Sequence, residues 1–329
     1  MKLICFDLEG PLAPQDNAYE LMKLFPRGGK IFEIISRYDD LLTLEGRSDY
    51  EPGDTLALII PFLAYHGIEE EQIAAMGQEA GLTPGATELI SKIKSRGWHV
   101  FCISTSYEQY AFSITRRLSI PDENVACTSL PLTQIRQLLS RDEFALLEQT
   151  EHEIVNLNYL TDDIRIKEYL DHFYWQKLPQ TNWGRIISQV KPVGGKRKIE
   201  ALESFGTRMG KPLSQWTVVG DSITDFKMLR AVNEASGLAI AFNANEYALP
   251  YSTLGLASVS LYDLWIILEA WEKDGRRVAE RAVKEKEVGG GTGDREWFHW
   301  LDGTKEITRA LEIHKRIRRL VREEAAKLG

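Results

Sequence analysis

The segment ICFDLEGPL runs an apolar stretch straight into two carboxylates, Asp7 and Glu9, followed by Gly10 and Pro11. Far along the chain, WTVVGDSITDF repeats the arrangement. Its apolar residues end at Gly220, Asp221 follows, and Asp225 stands four positions further on. Carboxylates at the end of a buried strand are costly unless something positive meets them. A donor set of oxygens suits a hard cation such as Mg²⁺. Between the two acidic segments, VFCISTS ends in the hydroxyls of Ser104, Thr105 and Ser106, which can donate to a phosphoryl oxygen or cap the next helix. VGGKRKIEAL then puts two glycines and a lysine at a helix start, where free backbone N–H groups attract anions. Lys196 is the best-placed cation there, with Lys191 and Lys198 competing for the role; the P-loop pattern GxxxxGK[ST] is not met.

These groups need rigid elements behind them. Five apolar runs read as buried parallel strands: Lys2–Phe6, Trp98–Ile103, Asn124–Cys127, Trp216–Val219 and Leu238–Phe242. They lack strict alternation, as expected of strands covered on both faces. Helical patterns separate them, among them Pro84–Arg96, with Thr83 as its expected N-cap, Arg197–Phe205 and Thr224–Val232. Strands alternating with helices indicate a doubly wound α/β sheet, and ligands in such sheets sit outside the carboxyl ends of the strands. The acids and hydroxyls fall at those ends.

The uneven spacing of the strands divides the chain. Residues 1–15, 83–130 and 191–261 make the expected core, 16–82 a helical cap and 131–190 a second helical insertion. Residues 262–329 make a helical C-terminal extension. The insertion carries the aromatic cluster Phe173, Tyr174 and Trp175, expected to pack against the core. The stretch Val288–Gly293, VGGGTG, reads as a flexible linker. The final segment, 304–329, holds eight Lys or Arg against four Asp or Glu, with Ile307, Leu311, Ile317, Leu320 and Val321 near helical spacing. Docking of this helix against the protein or a second subunit is favoured over nucleic-acid binding, and its removal is expected to leave the chemistry at Asp7 largely untouched.

The order of the acid pair, hydroxyl run, lysine and GDSxxD resembles the haloacid dehalogenase superfamily of phosphotransferases, over residues 1–12, 83–127 and 191–242. The resemblance implies a phosphatase with Asp7 as nucleophile, Ser104 and Lys196 binding the phosphoryl group, and Mg²⁺ held by Asp7 and Asp221 with Asp225 supporting. Glu9 would be the acid and base, and is counted with the metal residues. Phosphatases of that superfamily usually carry a second Asp where this chain has Glu9. A Glu there resembles the phosphoserine–homoserine phosphotransferase branch of the phosphoserine phosphatases, so transfer to an acceptor alcohol is the alternative to hydrolysis. DLEGPLAPQDNAYEL, ISRYDD, EPGDTLALIIPFL and STSYEQY are also similar to an archaeal group described as energy-converting hydrogenase A, subunit R, which implies a binding or assembly subunit as a further alternative.

Bulk properties set the remaining expectations. The chain has 329 residues, a formal net charge of −8, and 43% hydrophobic and 27% charged residues, as in a soluble globular protein. Negative charge argues against a general nucleic-acid binder. The longest apolar run, TLALIIPFLAY, is too short to span a bilayer and contains Pro61. Three cysteines without a CxxC pair read as free buried thiols, and a cytoplasmic location is expected. The partners expected are a small phosphorylated substrate and, through the C-terminal helices, a second copy or docking partner. Substrate specificity is expected from the cap, with Arg37, Tyr38, Asp39 and Arg47 as candidates.

Overall fold

The computed structural model describes residues 2–138, 140–288, 296–303 and 307–322. The expected linker beyond Val288 and the chain after Arg322 lie outside them. A seven-stranded sheet runs through the centre: β1 (Lys2–Phe6), β2 (Trp98–Tyr107), β3 (Val125–Thr128), β4 (Trp216–Gly220), β5 (Leu238–Phe242), β6 (Leu254–Ser258) and β7 (Glu296–Trp300). Their spatial order is β3-β2-β1-β4-β5-β6-β7. β1 to β6 pair in parallel, and β7 adds antiparallel to β6 at the edge.

The order reverses between β1 and β4. From β1 the chain builds outward through β2 and β3, then crosses back to start the other half at β4. A crevice opens at such a switch point, outside the carboxyl ends of the two central strands. Asp7 follows β1 and Asp221 follows β4, so topology alone brings two residues more than two hundred positions apart to one place.

Two of the seven strands were not evident as apolar runs. β6, LGLAS, is short and broken by a glycine. β7, EWFHW, lies in the extension expected to be helical; it pairs antiparallel with β6 and covers what would otherwise be an open edge. The rest of that extension is helical, in Trp265–Val288 and Thr308–Arg322. Thr83 also departs from expectation. Gly85, at φ +79°, precedes the helix Ala86–Ser95, and the Thr83 hydroxyl instead donates to the Gly10 carbonyl at 3.1 Å.

The helices between β1 and β2, chiefly Gly28–Glu45 and Thr55–Tyr65, form one layer with those of the second insertion. Three of the residues expected to select substrate hold that layer together. Arg37 pairs with Asp163 at 2.6 Å, the Tyr38 hydroxyl donates to Asp171 at 2.6 Å, and Arg47 reaches Asp171 at 3.0 Å. The aromatic cluster, expected to pack against the core, packs here against the cap helices. Phe173 meets Phe62, Tyr174 stacks on Tyr38 with its hydroxyl donating to the Leu58 carbonyl, and the Arg47 guanidinium lies over Trp175. Cys5 and Cys102 are buried free thiols and Cys127 is half-buried. No helix among the described residues is long and apolar enough to cross a membrane.

Candidate active site

β1 ends by handing its backbone to the neighbouring strand: the Asp7 amide donates to the Val219 carbonyl at 2.8 Å. The Asp7 carboxylate therefore leaves a fixed element at the crevice. Gly10 then turns at φ +97° so close to Asp221 that a Cβ would stand 2.5 Å from its carboxylate. Only glycine lets the loop pass at that distance. Asp225 sits one turn beyond β4, its Oδ2 accepting the backbone amides of Asp221 at 3.0 Å and Ser222 at 3.2 Å.

Asp7, Asp221 and Asp225 are all buried, and one carboxylate oxygen from each lies within 4.8 Å of the others. Such a group repels itself unless cations enter it. The first cation is Lys198, whose ammonium lies 2.8 Å from Asp7 Oδ1 and 2.7 Å from Asp225 Oδ1 with its side chain 0% exposed. Burial pulls its pKa down, but Asp225 and Asp7 outweigh that and the net shift is upward. Asp7 is pushed well up, by burial first and by Asp225 second, with Lys198 opposing. Asp221 Oδ1 is buried without a hydrogen-bond partner among the described residues. A buried carboxylate oxygen in that state, beside two further carboxylates, fits a hard divalent cation.

Lys196, expected to bind phosphate, does not enter the site. Its side chain is 68% exposed and pairs with Glu200. Its backbone amide donates at 2.9 Å to Glu51 Oε2, which also holds Lys227 at 2.7 Å. The helix start that was expected to receive an anion is thus filled by a carboxylate of the cap. The signal for Lys198 was present in the sequence. It shares the buried face of helix Lys196–Met209 with Leu202 and Phe205, at helical spacing.

Glu9 stands apart from the three-carboxylate group, which corrects its expected place among the metal residues. Its Oε1 accepts the Asn17 amide at 2.7 Å, the first residue of the cap's first helix. Burial and the neighbouring Asp16 raise its pKa to about 7. Ser104 is fully buried with its hydroxyl accepting the Ser106 amide at 3.0 Å, whereas Thr105 lines the pocket. The pairing of β2 with β3 shifts register between Ile103 and Tyr107, at this hydroxyl run. The pocket, about 110 Å³, is bounded by Asp7, Glu9 and Asp221 on the core side and by Asp16, Phe32, Ser36, Asp39 and Asp40 on the cap.

Two further residues were not anticipated. Arg318 and Arg322, from the C-terminal helix Thr308–Arg322, are buried in the same pocket, and both donate through Nη1 to Asp221 Oδ2, Arg322 at 2.7 Å. The helix reaches the site because His314 packs on the flank of β6 at Gly255 and accepts the Ala244 amide at 3.0 Å. Its inward stripe is Ala310, His314, Ile317, Arg318 and Arg322, while Leu320, expected inside, is 59% exposed. The helix, expected to lie apart from Asp7, reaches the pocket that Asp7 lines.

A doubly wound sheet with a helical cap, and with buried acids at its switch point, makes this a Rossmann-like α/β fold. No family profile matches the chain. It is similar to the phosphoserine phosphatase of Streptomyces coelicolor, 24% identical over 244 residues that cover 74% of this chain and 44% of that protein. It is also similar to human phosphoserine phosphatase, 28% identical over 129 residues, 39% of this chain and 53% of that protein. The chain thus aligns with about half the length of these relatives. Among solved structures, a gene product of Archaeoglobus fulgidus superposes with a TM-score of 0.86 and 27% identity, over 100% of this chain and 99% of that one. The chain is thus similar to phosphoserine phosphatases over part of their length and shares its whole fold with the archaeal gene product.

Proposed function

We propose that this chain is a Mg²⁺-dependent phosphohydrolase that acts on a small phosphorylated metabolite through an aspartyl-phosphate on Asp7. The observation that carries the reading is the buried Asp7–Lys198–Asp225 arrangement beside Asp221. Asp7, Asp221 and Asp225 would hold the cation, which supplies charge neutralisation for the phosphoryl oxygens when bound.

An Asp7 carboxylate oxygen attacks phosphorus, and the bond from phosphorus to the leaving oxygen breaks. Asp7 must be ionised to attack. Lys198, 2.8 Å away, favours that form against the upward push of burial. Lys198 also takes over the phosphate-binding role expected of Lys196, with the Thr105 hydroxyl on the pocket wall and Ser104 behind it. Glu9, protonated, gives its proton to the leaving oxygen. It then accepts one from the water that attacks the aspartyl-phosphate, which frees inorganic phosphate and regenerates Asp7. A pKa near 7 suits a group that must donate and then accept at neutral pH. Glu is one methylene longer than Asp, and the Asn17 amide holds that extra length in one place.

The test is a screen of small phosphorylated metabolites with Mg²⁺ and with EDTA, followed by Asp7→Asn on the best substrate. Turnover should require the metal, and the variant should lose it by at least about a thousandfold, as expected when a covalent nucleophile is removed. An Asp7→Asn protein that hydrolyses at the wild-type rate would overturn the assignment.

A further inference from the structure

The three carboxylates at the switch point meet three buried cations: Lys198, which bridges Asp7 and Asp225, and Arg318 and Arg322, which share Asp221 Oδ2. The formal charges of these six groups sum to zero before any metal arrives; Glu9 and Asp16 line the same pocket near Arg322, where burial favours their neutral forms. Arg322 is held from outside the cluster as well, since its Nε donates to the Pro14 carbonyl at 3.0 Å. Arg318 Nη1 also reaches the Asn243 carbonyl at 3.3 Å. The two guanidinium groups are therefore built into the wall by backbone as well as by Asp221. They come from an element far outside the core and close on the acids from the side of β6.

A divalent cation added to a neutral buried cluster leaves two uncompensated positive charges, and their cost in a poorly solvated site is large. A phosphoryl dianion cancels them. With the arginines gone, the same cation would instead find a cluster of net charge −2 and be drawn in alone.

We infer that Arg318 and Arg322 make the C-terminal helix part of the substrate site, coupling the cation to the anion so that each binds well only with the other. The inference rests on the proposed phosphoryl chemistry for the identity of the anion, but not on turnover. The guanidinium groups border the same pocket as Asp7 and Glu9 and are positioned to receive anionic oxygens once the cation shares Asp221. The buried oxygen of that residue without a hydrogen bond, Oδ1, is the place for the cation, while Oδ2 keeps the arginines in reach.

Calorimetric titration of Mn²⁺ into the full chain tests this, with and without inorganic phosphate. In the wild type, phosphate should tighten Mn²⁺ binding within the usual range of such couplings, about 5–150-fold. In Arg318→Gln, Arg322→Gln and the double variant, Mn²⁺ should bind about tenfold or more tightly without phosphate, and phosphate should add little. Wild-type binding indifferent to phosphate would overturn the inference, and this arm needs no variant to fold. Coupling that survives in the double variant, or anion-free affinity that the substitutions leave unchanged, would overturn it too. A chain that shows the coupling but hydrolyses nothing refutes the proposed hydrolysis and leaves the inference standing.

Discussion

Replacing Lys198 by Met removes a charge and keeps the length of the side chain. At 2.8 Å and 2.7 Å from two carboxylates, the ammonium gains about 6 kcal/mol from each at an effective dielectric of about 20. Desolvation of the buried ions offsets several kcal/mol of this, and breaking a buried pair costs about 3–5 kcal/mol net. The control is Lys196→Met. Its partner Glu200 is an exposed neighbour one turn away, and such a pair contributes no more than about 0.5 kcal/mol. Urea unfolding at pH 7.5 in EDTA should show the large loss for Lys198 and almost none for Lys196, with similar slopes. The sign of the pH dependence follows from the shifts. Asp7 has its pKa raised, so the cost of its ionised form is present above its ordinary range and is relieved as pH falls. Lys198 has its pKa raised, so its contribution persists at every pH below its ordinary value. The deficit of Lys198→Met should therefore shrink between pH 7.5 and pH 5, as Asp7, without its cation, takes up a proton. A loss below about 1 kcal/mol, or equal losses for the two lysines, would refute the view that Lys198 is the cation of this site.

Glu9 has a folded-state pKa of about 7 against an ordinary value of 4.5, so its ionisation lowers stability as pH rises through that window, by up to about 3 kcal/mol. Glu9→Gln should be more stable than wild type at pH 8 and similar at pH 4.5, as read by thermal melts, while turnover falls; a stability difference independent of pH would count against the burial of an ionisable Glu9. Gly10→Ala should lose at least about 2 kcal/mol from the left-handed backbone and the contact with Asp221, and should bind Mn²⁺ more weakly. Wild-type urea midpoint and Mn²⁺ affinity in that variant would show that the loop does not pass where the structure puts it.

Much of the site can be read from the chain because its parts are local. Asp7, Asp221 and Asp225 each follow an apolar run, and an apolar run covered on both faces is a strand whose end opens at the ligand side of the sheet. The helical character of the cap and of the second insertion is legible for the same reason: the 3.6-residue period is a property of the segment itself. What only the tertiary structure decided depends on phase and on distance. Lys196 and Lys198 are two residues apart, a rotation of about 200° around a helix, so one faces the acids and the other faces water. Composition is the same for both, and only the sheet beneath the helix selects between them. Tyr38 and Arg47 tie two helical insertions together because Asp171, more than a hundred residues away, folds against them. Arg318 and Arg322 sit on a helix whose basic face reads as a solvated surface. They become part of the site because β6, β7 and His314 carry that helix to Asp221 across about a hundred residues of chain, and no periodicity within the helix records where the acids lie.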